Sequence, residues 1–281
     1  MELQLLHTVA ETIAWRDRAP RPLGLVPTMG YLHEGHLSLA RRARQENASV
    51  AVSIFVNPTQ FAPQEDLAAY PRDLKRDLAM LDGERVDMVF NPGVEELYPP
   101  GFETSVSPGP IASRLEGERR PVHFRGVATV VTKLFTILRP DRAYFGQKDG
   151  QQVRVIQRLN DDLNLGVGIV VCPTVREPDG LAMSSRNVYL NPQERQAALV
   201  LYRALCLAQE RYHRGERDAG RLRLAMEELI GREPLARLDY VSVADQRTLE
   251  ELERVVRPAM VSLAVRIGKT RLIDNLLLGE G

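Results

Sequence analysis

From residue 22 onward, short runs rich in Val, Ile and Phe alternate with longer stretches whose apolar residues recur at helical spacing. That alternation is the pattern of successive βα units, and it commits the chain to a mostly parallel sheet covered by helices. Strands are expected at Leu23 to Val26, Val50 to Val56, Val86 to Phe90, Ala143 to Phe145 and Val167 to Val171, with helices near 36 to 47, 72 to 82, 127 to 138 and 150 to 163. Several strands run directly into polar or Gly/Pro punctuation: VPTMG, FVNPTQ, FNPG and YFGQKD. In a parallel sheet those carboxyl ends line one edge, and that edge is where ligands bind.

Around this frame the sequence is less regular. Tyr98 to Arg125 is too rich in Pro and Gly for one long element and is expected to form short strands and a covering loop over the ligand edge. The amino terminus, MELQLLHTVAETIAWRDRAP, carries acidic residues inside its apolar pattern and reads as an amphipathic helix rather than a signal peptide. After Cys172 the texture changes. Asn191 and Pro192 have the chemistry of an N-cap and first helical residue, for a helix to about Arg214. A second helix near 218 to 230, a strand in LDYVSV and a hairpin around Gly268-Lys269 then predict a small α+β domain beginning near residue 175. The expected fold class is α/β, with this smaller unit at the carboxyl end.

Charge and cysteine usage exclude several functions. Thirty-seven basic residues balance thirty-seven acidic ones, and the balance holds on either side of residue 175. Generic binding to nucleic acid or an anionic membrane wants a positive excess, and the Arg41-Arg42-Arg44 and Arg119-Arg120 clusters read as solvated faces. No stretch approaches the roughly 18 apolar residues that span a bilayer. Cys172 and Cys206 are too few for a disulfide framework, so a reducing cytoplasm fits better than secretion.

Three segments carry candidate chemistry. PTMGYLHEGH, residues 27 to 36, follows the first strand and is expected to open a helix at about Gly35 or His36. A helix amino terminus presents unpaired N–H groups and a positive dipole end to phosphate. Gly30 and Gly35 permit close approach of the backbone, and His33 and His36 can each donate to phosphoryl oxygens. Taken alone, the histidine pair is equally compatible with a helix cap or a stray metal ligand. In GQKDGQQ, residues 146 to 152, Lys148 can approach triphosphate oxygens and Asp149 can begin a helix, although such a turn is weak evidence by itself. In LAMSSRN, residues 181 to 187, Ser184 and Ser185 offer hydroxyls and Arg186 a permanently charged fork suited to pyrophosphate; a polar linker is the bland alternative. Asn57, Gln60 and Gln152 can read a hydroxyl or carboxylate by hydrogen bonding. His123 and Arg125 read as structural or exposed, and His7 and His213 as surface residues.

Together these segments give the sequence a close resemblance to the pantothenate synthetase family, which joins pantoate to β-alanine. PTMGYLHEGH, SIFVNPTQF, LEGERRPVHFRGVATVV, YFGQKDGQQ, LAMSSRN and the closing RLIDN occur in the family's order, so the likeness covers nearly the whole chain. HEGH matches an HxGH nucleotidyltransferase signature, and MSSR stands in place of a KMSKS-like loop. The resemblance implies a Rossmann-like nucleotide- and pantoate-binding domain over residues 1–174 and a smaller α+β domain over 175–281 closing over the active site. It places ATP against Met29, Gly30, Tyr31, Leu32, His33, Glu34, Gly35 and His36, against Gly146, Gln147, Lys148 and Asp149, against the backbone of Val175, and against Met183, Ser184, Ser185 and Arg186. His36 is implied as proton donor and His33 as its phosphate-contacting companion, with Lys148 as the third catalytic residue. Gln60 and Gln152 are implied to bind pantoate, with Gln60 also near β-alanine, and Asn57 joins them as a substrate-binding candidate. Gly150 departs from the family's usual larger residue.

The implied reaction forms pantoyl adenylate and pyrophosphate from pantoate and ATP, and the β-alanine amine then displaces AMP. Magnesium is expected with ATP, its protein ligands unassigned. Neither cysteine lies in these segments and the serines have no clear base partner, so a covalent acyl-enzyme is the less economical route. Closure of the 98–125 loop or the second domain is expected to exclude water from the mixed anhydride. The resemblance further implies a cytoplasmic homodimer acting on small molecules. An adenylyltransferase using the same HxGH and lysine chemistry would release a dinucleotide and no AMP, and a non-catalytic ATP-binding regulator would show no amine-dependent AMP release.

Overall fold

The computed structural model describes residues 2–279 and divides them into two compact units. The first comprises the described residues up to Gly146 together with Gln152–Cys172. It contains β1 (Gln4–Leu6), α1 (Val9–Arg16), β2 (Leu23–Thr28), α2 (Glu34–Glu46), β3 (Ser49–Ile54), α3 (Leu74–Gly83), β4 (Met88–Phe90), α4 (Val94–Leu97), α5 (Glu116–Arg119), α6 (His123–Leu138), β5 (Arg142–Gly146), most of α7 (Gly150–Asp162) and β6 (Gly168–Cys172). The six strands form one parallel sheet in the order β1-β4-β3-β2-β5-β6.

Alternation along the strands splits the core between the two sheet faces. Leu23, Leu25, Ala51, Met88, Phe90, Ala143 and Phe145 meet residues of α1, α6 and α7, whereas Val26, Val50, Val52, Val89 and Tyr144 meet residues of α2 and α3. From β2 the chain winds outward through β3 and β4, then returns to place β5 and β6 on the other side. The carboxyl ends of β2 and β5 therefore flank the reversal of strand order, the crevice where doubly wound sheets receive ligands.

The expected parallel-sheet fold is observed, with three local corrections. The amino terminus is not one helix. Gln4–Leu6 pairs with β4, and Thr8 closes a reciprocal capping box with Glu11, which sets the helix start at Val9. The 98–125 stretch contains no strand; it forms a 3-10 turn at Pro110–Ala112 and the short α5, because its prolines cannot donate to a ladder. The following helix begins at His123 rather than near 127. Gly126 allows this, since a Cβ there would lie 2.4 Å from the Thr59 carbonyl oxygen.

The second unit takes in Gln147–Gln151 and the described residues from Pro173 onward. Its helices are α8 (Pro192–Ala197), α9 (Leu199–His213) and α10 (Ala219–Ile230), and its antiparallel sheet runs β7 (Ala236–Asp245), β8 (Ala259–Ile267) and β9 (Thr270–Leu278). Asn191 and Pro192 take the expected cap and first-helix positions, but the helix breaks at Ala198. Gly268, at φ 57°, turns the expected β8–β9 hairpin. Leu201, Leu205, Leu222 and Met226 pack against Val261, Leu263 and Val265 to form this unit's own core.

Tyr144 joins sheet to helix at the α2 end. Its buried hydroxyl accepts from Asn47 Nδ2 at 2.6 Å and donates to Glu46 Oε2 at 2.9 Å, and burial pushes its pKa up to about 12. Tyr144→Phe leaves both partners short of a bond and is expected to cost about 1–2 kcal/mol. Urea denaturation checks this, and an unchanged midpoint and slope would contradict it.

Candidate active site

The loop after β2 is shaped by one buried carboxylate. Gly30 and Tyr31 both adopt left-handed backbone, at φ 82° and 51°. That conformation is unfavourable for tyrosine, and it aims successive N–H groups in one direction. Asp77 from α3 fills the resulting concavity: its carboxylate accepts from Tyr31 N at 2.7 Å and Leu32 N at 2.8 Å. Asp77 is 1% exposed, and burial pushes its carboxyl pKa up against the opposing pull of those amides. A Cβ at Gly30 would lie 2.9 Å from Ile54 Cγ2 and 3.1 Å from Asp77 Oδ2, so only glycine fits there. Leu32 is fully buried and anchors the loop's far side.

This turn delivers the chain into α2 with His33 as the N-cap residue, slightly earlier than expected. The His33 and His36 rings stand 4.0 Å apart at a 39° tilt. His36 Nδ1 accepts from the His33 backbone N–H at 3.4 Å, a long bond that assigns the ring proton to Nε2 and makes that nitrogen a donor. The Tyr31 and Leu32 amides are both taken up by the Asp77 carboxylate. Glu34 is exposed and pairs with Arg41 at 2.9 Å. The other arginines of that cluster are paired as well, Arg42 with Glu46 and Arg44 with Asp87.

Gln60 stands beside the same loop. Its Nε2 lies 3.0 Å from Met29 Sδ, a weak acceptor that a carboxylate or hydroxyl would outcompete, while Oε1 accepts from Asn57 Nδ2 at 3.2 Å. Asn57 is 1% exposed and its amide also donates to the Gly126 carbonyl at 3.1 Å, while its Oδ1 accepts from Thr59 and Tyr98. Those internal bonds make Asn57 the residue that orients Gln60. The Gln60 carbonyl faces His123 Nδ1 at 3.0 Å. His123 is buried, and that burial, with Arg120 nearby, lowers its pKa to about 4. The neutral ring with its proton on Nδ1 is therefore the form that tethers Gln60. His7 and His213 are exposed, as expected.

The remaining candidates fall mostly in the second unit. Gly146 ends β5, and Gln152 lies in the first turn of α7, both in the first unit. Gln147, Lys148 and Asp149 form a 3-10 turn that runs into α7, and Lys148 Nζ stands 3.7 Å from Asp149 Oδ1. Val175 accepts from Met183 N at 3.0 Å, closing a small loop whose Gly180, at φ 99°, packs against the Tyr202 ring. Ser184 then caps a 3-10 turn over Ser185–Tyr189 by accepting from Arg186 N at 3.2 Å, which leaves its hydroxyl hydrogen available to a ligand. Ser185 is buried and Arg186 half-buried. Among the described residues no cluster of three or more His, Cys, Asp or Glu is placed to hold a metal ion, and no helix is long and apolar enough to cross a membrane.

The model of the family described as pantoate-beta-alanine ligase matches residues 4–277. The chain belongs to that family. A pantothenate synthetase from Roseiflexus sp. (strain RS-1) is 65% identical over 276 residues, covering 98% of this chain and 99% of the relative. A crystal structure of pantothenate synthetase from Thermus thermophilus superposes with a TM-score of 0.93 at 50% identity, covering 97% of this chain and 98% of that one. A pantoate-beta-alanine ligase from Francisella tularensis, solved in complex with beta-gamma ATP and beta-alanine, matches at a TM-score of 0.81 and 36% identity over 99% of each chain. The ligase class and the sheet architecture that the sequence resemblance implied are those of this family.

Asp77 lies outside the candidate segments, yet the sequence holds its signal. Leu74, Asp77, Leu78 and Leu81 share one face of α3 at i, i+3, i+4 and i+7, which puts an acid on an apolar stripe. Asp77→Ala strips two buried amides of their acceptor and is expected to cost about 3 kcal/mol in chemical denaturation; a loss below about 1 kcal/mol would contradict the assigned role. His123 supplies a pH prediction. Its folded pKa lies below the unfolded value, so the unfolded chain binds the extra proton and stability falls as pH drops from about 6.5 toward 4. Relative to His123→Asn, the natural chain should lose roughly 3 kcal/mol across that window. Parallel slopes in urea titrations of the two would contradict it.

Proposed function

We propose that the chain condenses (R)-pantoate with β-alanine, using ATP, to give pantothenate, AMP and pyrophosphate. The observation that carries this reading is the contact between Gln60 and Met29, which sets an acid-reading amide against the loop that bears His33 and His36. A pantoate oxygen attacks the α-phosphorus, the bond from that phosphorus to the bridging oxygen breaks, and pyrophosphate leaves with the electron pair. The β-alanine amine next attacks the activated carbonyl carbon, loses a proton, and AMP departs.

Each step meets a specific physical difficulty. A carboxylate and a triphosphate repel one another, so neutral donors must hold the first while cations screen the second. Gln60 Nε2 is such a donor, fixed by Asn57 on its oxygen side, and Gln152 is the second pantoate-reading amide. His36 donates through Nε2 to the reacting phosphate, with His33 beside it. Met29 through His36, Gly146 through Asp149, the Val175 backbone and Met183 through Arg186 border the nucleotide. Lys148, Ser184, Ser185 and Arg186 take the charge that grows on the leaving pyrophosphate. Closure over the adenylate, by residues 98–125 or by the 175–281 domain, keeps water from competing with the amine.

Magnesium belongs to this reading as part of the Mg–ATP substrate, held by phosphates and water with few protein ligands. Family membership supports a homodimer, and two free cysteines support a reducing cytoplasm.

Purified protein given ATP and pantoate should release pyrophosphate and accumulate pantoyl adenylate, with AMP appearing only when β-alanine is added. A dinucleotide product without AMP would overturn the reading. Lys148→Ala should slow pyrophosphate release by roughly 100- to 1,000-fold at an unchanged unfolding midpoint, because it removes a phosphate-facing cation from a turn. Near-normal release would exclude that role.

A further inference from the structure

Lys148 is attached to a turn of only three residues, and the backbone of that turn is held from the far end of the chain. Asn275 on β9 is 4% exposed. Its Nδ2 donates to two successive carbonyls, Gln147 O at 2.9 Å and Lys148 O at 2.8 Å, and its Oδ1 accepts from Gln147 Nε2 at 2.8 Å. The amide can face only one way, since reversing it would set oxygen against two carbonyl oxygens.

Asn275 is itself fixed from behind. Its backbone N–H donates to Asp274 Oδ1 at 2.8 Å. Arg176 grips Asp274 with two bonds, at 2.6 and 3.0 Å, and lies 4.2 Å over the Tyr202 ring. Asp274 is 3% exposed, and the planar fork holds the carboxylate in one orientation. Gly150 completes the arrangement. A Cβ there would lie 2.7 Å from Met260 Sδ and 3.0 Å from Asn275 Oδ1, and Met260 is 1% exposed. Glycine at this position thus lets the amide sit against the turn.

We propose that Asn275 is a positioning residue for Lys148, acting through the backbone of the 147–149 turn, and that Gly150 and Met260 are matched to leave it room. This rests on the reading of Lys148 as a phosphate-contacting cation. Displacing such a group by an ångström is enough to cost one to two powers of ten in rate.

The test is single-turnover pyrophosphate formation from Mg–ATP and pantoate in Lys148→Ala, Asn275→Ala, their double variant, Gly150→Ala and Gly150→Ala/Met260→Ala. Asn275→Ala should be slower than the natural chain by roughly 10- to 100-fold. In the Lys148→Ala background the same change should cost less than about twofold, because the cation it positions is gone. Gly150→Ala should reproduce the loss by pushing on Asn275, and adding Met260→Ala should recover much of it. Equal losses from Asn275→Ala in both backgrounds would reduce the residue to general structural support and overturn the proposal, as would a natural rate in Asn275→Ala. If Asn275→Ala does not fold, the Gly150 pair decides: no loss in Gly150→Ala, or no recovery in the double variant, overturns it. A natural rate in Lys148→Ala would instead remove the phosphate role and the proposal with it, an outcome distinct from every failure of the clamp.

Discussion

The carboxylate of Asp77, set against the Tyr31 and Leu32 amides, is the contact on which the arrangement of the first unit's candidate site depends. β2 must stop, reverse its hand for two residues and enter α2 within the space of PTMGYLHE. Without an internal anion the two left-handed residues would present unsatisfied N–H groups in the interior, and each would cost about 1–3 kcal/mol. With it, Leu32 reaches the core and His33 becomes the cap residue of α2. The location of both imidazoles follows from that turn.

The same logic recurs at smaller scale. Gln60 is oriented by Asn57, its main chain by His123, and the close packing of α6 against it by Gly126. Lys148 is held through its carbonyl by Asn275, and Asn275 by Asp274 and Arg176. In each case a group suited to meet substrate is fixed by a buried polar residue with nearly all its hydrogen bonds made. Such preorganisation matters for this chemistry, because a reaction between an anion and a polyanion gains from donors already aimed at the developing charge.

Much of this was readable in the sequence. The parallel sheet followed from the alternation of apolar runs and helical periods, the Asn191-Pro192 start from capping chemistry, and the last hairpin from Gly268 between two strand patterns. Local rules failed where distant partners decide. Gln4–Leu6 is a strand only because β4 pairs with it, and residues 98–125 have no strand partner despite short extended-looking runs. The residue type of Asn57 shows that it can form hydrogen bonds, whereas its bond to the Gly126 carbonyl depends on a contact across the fold. Asp77 is encoded as an acid on an apolar helix stripe, but its amide partners lie 45 and 46 residues away in the chain. Asn275 acts across 128 residues of chain, and no periodicity encodes that separation.

The central chemical claim is that pantoate attacks the α-phosphorus of ATP and is released to the amine as an acyl group. Turnover of pantoate carrying oxygen-18 in both carboxylate positions, followed by mass spectrometry of the products, tests it directly. The account predicts one labelled oxygen in AMP and one retained in the new amide carbonyl. Unlabelled AMP, with the label in pyrophosphate or orthophosphate, would show that a different phosphorus is attacked and would contradict it.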